Sequence, residues 1–452
     1  MSIDGVKELL GRAYERGTFS QKVISTFLGQ TLCLVLSVAS SVIIARWLGP
    51  SGKGLVGLAL LVPGMMVLFL GAGIEVANVY FTASRRLDIA SLAANSVGFA
   101  LLATIVGFGV AVGLVTGGWL EIVVPGVPIW LYLTAMMGLP VGLLSGYFTA
   151  LLRGLQRIMA VNIVNLAQGG GSLALGLLLV AGFQLGPLGA VLASIGAGAI
   201  SLLAAGILLR RYGGTFVPRW DSSVMRSTLS FGLKGYVCNT LTFLNYRLDM
   251  FIVNYFVGSA GVGIYSVAVG LAELLWRLPN AVGFVLMPKA AETPAEHMNR
   301  FTPRVLRITM ALTALGALSL VFLGRSLIQI IYASAFVDAY VPMLVLLPGV
   351  VLFGGAKVLT IDIGGRGHLG YNSINDGLVL IVTVVLDLIL IPRYGVTGAA
   401  LASSIAYMIA FILSLAFYIT VTRETRGATP TVGFDSIVLS EGVDAEAKES
   451  KH

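Results

Sequence analysis

Charge is scarce in this sequence. Charged side chains make up 11% of its 452 residues, where a soluble domain carries roughly 25%. That excludes an ordinary water-soluble globule. Cysteine is scarcer still. Cys33 and Cys238 are the only two, and both fall in apolar stretches, so a disulfide framework is not indicated. The three histidines are not spaced with cysteine as a zinc site requires; neither a metal nor a cofactor is expected. Long polar stretches are missing as well. The longest internal connection, 210–228, is far too short to be a domain. The outer connections hold few acids beyond Glu121 and Asp338, and no nucleophile has a partnered base. Those gaps argue against an enzyme.

What fills the chain is apolar. Hydrophobic residues reach 57% and mean hydropathy is +0.93. Twelve segments are long enough to span a bilayer, which takes about 20 helical residues each. They lie near 23–46, 55–77, 91–115, 129–152, 159–182, 188–209, 229–256, 262–286, 305–331, 339–360, 373–391 and 397–420. None alternates with the period of two that a barrel strand needs, so helices are expected throughout. The fold class is an all-α polytopic membrane protein.

The chain repeats itself. Gly49-Pro50-Ser51-Gly52-Lys53-Gly54 returns 209 residues later as Gly258-Ser259-Ala260-Gly261-Val262-Gly263. At the same offset Gly186-Pro187-Leu188-Gly189-Ala190 returns as Gly395-Val396-Thr397-Gly398-Ala399. With one gap, Asn162 and Asn165 fall on Asn372 and Asn375. Such periodicity reads as two copies of one structural half. The expected division is a surface-lying amphipathic segment at 1–22, an N-lobe at 23–209 and a linker at 210–228. A C-lobe at 229–420 and a disordered tail at 421–452 follow. The Gly52-Lys53 pair does not make a phosphate loop. Trp47 stands where that motif needs glycine, and Gly54 where it needs Ser or Thr. A tight turn between antiparallel spans explains the glycines.

Basic residues set an expected orientation. With both termini cytoplasmic, most of the 29 Lys and Arg fall on the inner side. The outer segments hold only Arg46, Lys53, Arg325 and Arg393. The same asymmetry explains the net charge of +8, which therefore gives no argument for nucleic acid.

The candidate functional residues are the polar groups inside the spans. Arg247, Arg277, Lys234, Lys357 and Arg46 lie at graded depth and would form a ladder for an anionic head group if they faced one cavity. Against this, Lys234, Lys357 and Arg46 can snorkel from helix ends, and Glu273 can pair with Arg277 four residues on. Arg247 and Asp249 point nearly opposite ways on one helix, so Asp249 either pairs elsewhere or serves the cavity. Glu75, Asn78, Asn245, Asp249 and Glu273 are the polar or ion-coupling candidates. Pro63 and Pro279 are the candidate hinges.

The motifs together resemble a known family. They are the Arg46-Trp47-Leu48-Gly49-Pro50-Ser51-Gly52-Lys53-Gly54 turn, Tyr246-Arg247-Leu248-Asp249, the 257–266 run and the Ile391–Ala400 run. The likeness is to the polysaccharide transporters of the multidrug/oligosaccharidyl-lipid/polysaccharide exporter superfamily, nearest the O-antigen-type flippases, over about residues 20–420. It implies two pseudo-symmetric six-helix lobes around a central cavity, rocking to face each side in turn. It implies a substrate made of an oligosaccharide joined through pyrophosphate to a polyprenyl lipid. Membrane lipids, H+ or Na+, and a polysaccharide polymerase are the other partners it suggests. The competing readings are an ion-coupled drug or cation exporter of the same superfamily, a lipid II-type flippase and a membrane glycosyltransferase. The first needs buried acids in the cavity. The second usually carries two more helices than the polar tail leaves room for.

Overall fold

The computed structural model describes residues 19–215 and 217–427; the side chains of 19–28, 234–235, 237–239, 284 and 424–427 are outside what it describes. The expected amphipathic segment and tail therefore fall almost wholly outside the described residues, and so does the Lys234 side chain. The described chain is helical, with no strand. That is the solution a bilayer imposes, because a helix pairs its backbone polar groups within itself.

The first lobe comprises α1 (Phe19–Gly71), α2 (Ile74–Ala83), α3 (Ile89–Thr116), a short α4 (Leu120–Val123), α5 (Ile129–Met136), α6 (Gly138–Gly154), α7 (Ile158–Gly176) and α8 (Gly186–Arg210). The second comprises α9 (Ser222–Val257), α10 (Ser259–Glu273), α11 (Arg277–Glu292), α12 (Ala295–Tyr332), α13 (Tyr340–Gly365) and α14 (Leu369–Gly427). Nine described stretches are long and apolar enough to cross a membrane. Twelve spans were expected, and the difference has two sources. α1 and α14 are each a pair of arms in one helix, bent at Gly49 (φ 64°) and Gly395 (φ 56°). α9 is not among the nine; it is the most polar of the long helices, with Asn239, Asn245, Arg247, Asp249 and Asn254 along it.

The bends confirm the repeat. Gly49 and Gly258 share one position of it, and Gly186 and Gly395 another; all four have positive φ. Only glycine adopts that backbone without steric cost, so the turn chemistry is why these glycines recur. The lobes touch where the turns cross. A methyl group on Gly54 would collide with the Ser259 carbonyl, and one on Gly263 with Pro50. Pro50 and Ser259 are themselves related by the 209-residue offset, so the crossing is a pseudo-two-fold contact of backbone on backbone. Close approach of this kind is how helices associate in lipid, where apolar burial supplies little drive.

Packing elsewhere follows the bilayer. Large apolar side chains such as Ile105 (70% exposed) and Phe322 (75%) face outward. One buried cluster runs through both lobes, from Leu58 and Tyr132 to Tyr265, Trp276 and Tyr407. The connection after α8 is tied to the first lobe: Arg219 N–H donates to the Ala94 carbonyl at 3.1 Å, and Asp221 N–H to Asn95 Oδ1 at 2.8 Å. Asp221 then caps α9. The Ser223 hydroxyl, with the Val224 and Ser223 amides, holds its carboxyl below the ordinary carboxylate range.

Candidate functional site

A cavity of about 1180 Å³ lies between the lobes. The first arm of α1 contributes Gln30, Thr31 and Ser37, and α7 contributes Asn162 and Asn165. Across from them stand Arg277 and Asn280 of α11, with Ile361 and Gly364 of α13. A second chamber of about 560 Å³ continues it, sharing Cys33, Ser37 and Asn165. Its walls carry Ser40, Ser41, Lys53, Gln168, Ser172 and Ser266. Among the described residues that line both chambers there is no carboxylate. The cations among them are Arg277 and Lys53. This wall can donate and accept hydrogen bonds along its length and attract negative charge at two places.

The other candidates sit elsewhere. Arg277 does not pair with Glu273. A tight 3-10 turn, Leu274–Trp276, separates them and carries Arg277 roughly 60° further round the axis than an α-helix would. Glu273 instead faces Arg247 at 3.9 Å. Arg247 also donates to the Tyr246 carbonyl at 3.2 Å. Lys357 Nζ donates to Tyr246 Oη at 2.9 Å and stands over the Trp276 ring at 5.0 Å and the Phe353 ring at 5.2 Å. These groups are held inside the second lobe.

Arg46 bridges the lobes: its Nε donates to the Ile331 carbonyl at 2.8 Å, and its terminal nitrogen to Ile330. Asp249 accepts from Tyr265 Oη at 2.6 Å, and that hydroxyl also meets Ser403 Oγ at 3.1 Å. Asn245 donates to the Asp376 carbonyl at 2.9 Å, while Asp376 accepts from Thr242 at 2.7 Å. Asp387 is fully buried, and neither carboxylate oxygen has a hydrogen-bond partner among the described residues. In the first lobe Asn78 is buried and donates to Ser96 at 2.9 Å, and Glu75 is exposed against Gly146.

The two prolines behave differently from each other. Helical geometry continues through Pro63; the span breaks at Ala72 and Gly73, both with positive φ. Pro279 lies in the first turn of α11, directly after the 3-10 turn. Its missing N–H falls where a helix start leaves donors free.

Sequence reasoning missed Lys53 as a cavity residue. Its Nζ donates to Ser41 Oγ at 2.7 Å and lies 5.7 Å from the Tyr332 ring. The available signal was that the second copy of the turn carries Val262 at that position. A lysine that the repeat does not demand has another use.

Fold and cavity define a class: a multi-pass helical membrane protein of two lobes around a central chamber. The family follows from the sequence. The chain belongs to the polysaccharide biosynthesis protein family, whose model matches residues 19–293. It is 27% identical over 195 residues to the probable flippase AglR of Haloferax volcanii. That match covers 42% of this chain and 41% of AglR, so it spans about two fifths of the relative's length. The fold matches an inward-facing multidrug resistance MATE family transporter of the MOP superfamily, with TM-score 0.71, 16% identity and coverage of 88% of this chain and 96% of that one. It also matches lipid II flippase MurJ in an inward closed conformation, with TM-score 0.71, 14% identity and coverage of 90% and 94%.

Proposed function

We propose that this protein is a flippase that moves a polyprenyl-pyrophosphate-linked oligosaccharide from the cytoplasmic to the outer leaflet by alternating access, for cell-surface polysaccharide synthesis. The observation that carries the reading is the cavity wall: hydroxyls, amides and two cations, without a carboxylate among the described lining residues. Amides and hydroxyls suit saccharide hydroxyls, and a guanidinium suits phosphate oxygens. A cation exporter needs acids where its substrate binds. Here Asp249, Asp376 and Asp387 are buried or bonded within the second lobe instead.

In this reading both termini are cytoplasmic, in the inner membrane of the cell, and the Arg277 chamber opens to the cytoplasm. The head group crosses inside the cavity while the polyprenyl tail stays in lipid. No covalent step is required. Asp249 and Asp387, close inside one lobe, are the candidates for coupling to H+ or Na+, since a buried acid changes its charge or takes a cation at a cost the gradient can meet. A polysaccharide polymerase is the natural consumer of the product.

Depletion of the protein in its own cell, followed by mass spectrometry of the lipids, tests this. A polyprenyl-pyrophosphate saccharide accumulating on the cytoplasmic leaflet is the expected result. No accumulation, with raised sensitivity to cationic drugs, would transfer the protein to the exporter class.

A further inference from the structure

Resting on that reading, we propose that Lys53 is a second anion station in the cavity, which takes the phosphate of the lipid-linked substrate from Arg277 and holds it at the far end of the path. The two cations are well separated. Val262 lines the chamber of Lys53, and Arg277 stands fifteen positions further along the same helical run. At about 1.5 Å per residue that sets Val262 and Arg277 roughly 22 Å apart along the helix axis, so the two cations belong to opposite ends of the joined chambers. Among the described residues the wall between them is uncharged, so the charges that favour an anion stand at the two ends.

Three further observations support a ligand role. Lys53 has no ionic partner among the described residues of the chamber wall. Ser41 takes one of the three donors of its ammonium, and a hydroxyl dipole is a weak substitute for a counter-charge. The repeat does not require a lysine here, because Val262 occupies the equivalent position and packs into the same chamber. Finally, Lys53 adjoins Gly54, whose backbone packs on Ser259 where the lobes cross. The station therefore lies beside the crossing of the two lobes. When the lobes rock, an anion held there is the part of the cargo nearest the newly opened side.

The test uses the full-length protein in detergent, with farnesyl pyrophosphate, farnesol and inorganic pyrophosphate as probes in equilibrium titrations. The wild type is expected to prefer farnesyl pyrophosphate to farnesol. Arg277→Ala should weaken that preference without abolishing it, because Lys53 carries the remainder. Adding Lys53→Ala should cost a further tenfold or more, the scale of one charged hydrogen bond. Adding Lys53→Arg instead should keep the preference. Thermal unfolding of each variant accompanies the titrations.

If Arg277→Ala binds farnesyl pyrophosphate no better than the doubly substituted Ala protein, the station is disproved. It is equally disproved if the Ala and Arg replacements at Lys53 lower thermal stability and binding alike, since Lys53 would then be a structural tie to Ser41. Inorganic pyrophosphate binding as tightly as farnesyl pyrophosphate overturns the assignment to a lipid-linked anion. A wild type indifferent between farnesyl pyrophosphate and farnesol overturns the flippase reading itself.

Discussion

The two lobes share a backbone plan and have parted in chemistry. In the first, Asn162 and Asn165 of α7 face the cavity. At the equivalent places of the second, Asn372 donates to the Thr360 carbonyl at 2.9 Å and Asn375 to Ser414 Oγ at 3.1 Å. At these positions the first lobe turns its asparagines to the cavity. The second turns them inward, and fills its interior with Asp249, Asp376, Asp387 and Lys357. Symmetry thus preserves what the backbone needs, the glycine turns and their crossing. Positions with no duty in the turn were free to diverge. One lobe came to present a hydrogen-bonding wall and the other an ionic interior, with Arg277 as the second lobe's charged contribution to the cavity.

The largest effect should come from breaking the symmetric part. Gly54→Ala and Gly263→Ala each force a methyl group against backbone of the other lobe. Each should lower stability by about 1–3 kcal/mol, as overpacking does, and by similar amounts. Thermal unfolding in detergent checks it; a change at one site only would mean that the crossing is not reciprocal.

Arg277→Ala comes next. It should reduce transport roughly 10- to 100-fold through a lost charged hydrogen bond, with the unfolding midpoint unchanged. Arg247→Ala is its control. Arg247 is 33% and its partner Glu273 23% exposed, at 3.9 Å, so the loss should be under about 1 kcal/mol of stability. Transport in vesicles containing each variant separates the two.

The asparagines sharpen the contrast further. Asn375→Ala leaves Ser414 without its donor and should cost stability of about 1 kcal/mol. Asn165→Ala should leave stability alone and lower transport. The reverse pattern would put the working surface in the second lobe. Asp387→Leu belongs with them. It removes a buried acid whose oxygens have no partner among the described residues, so the folded protein should gain up to about 1–3 kcal/mol. If Asp387 couples an ion, that gain comes with loss of gradient-driven transport.

The smallest effect concerns the connection between the lobes. Hydrogen bonding from Ser223 lowers the acidity range of Asp221 in the folded protein. Its contribution is therefore present above the unfolded carboxylate range and lost as pH falls through the lower, folded value. Asp221→Asn should flatten that acid limb slightly in a pH series of unfolding midpoints and leave neutral pH almost untouched.

Much of the fold was readable from residues alone, and particular side chains show where reading stopped. The glycines at 49, 186, 258 and 395 announced the turns, because a backbone with positive φ constrains residue type directly. Arg247 and Asp249 were expected to diverge, and they do: one meets Glu273, the other Tyr265. Arg277, by contrast, looked able to pair with Glu273. The 3-10 turn between them ends on Trp276, whose indole N–H donates to the Val350 carbonyl at 3.1 Å, a partner 74 residues away. Lys53 read as part of an outer turn, since nothing nearby in sequence says that its neighbour Gly54 packs on Ser259.

Sequence by itself determined the membrane class, the helices, the repeat and the family likeness. Each of these rests on composition, periodicity or local backbone geometry, which neighbouring residues settle among themselves. Tertiary structure alone decided which charges face the cavity, which pair inside a lobe and which tie the lobes together. Those outcomes depend on which helix stands opposite, and in a bilayer that is set by long-range packing of small residues such as Gly54 and Gly263.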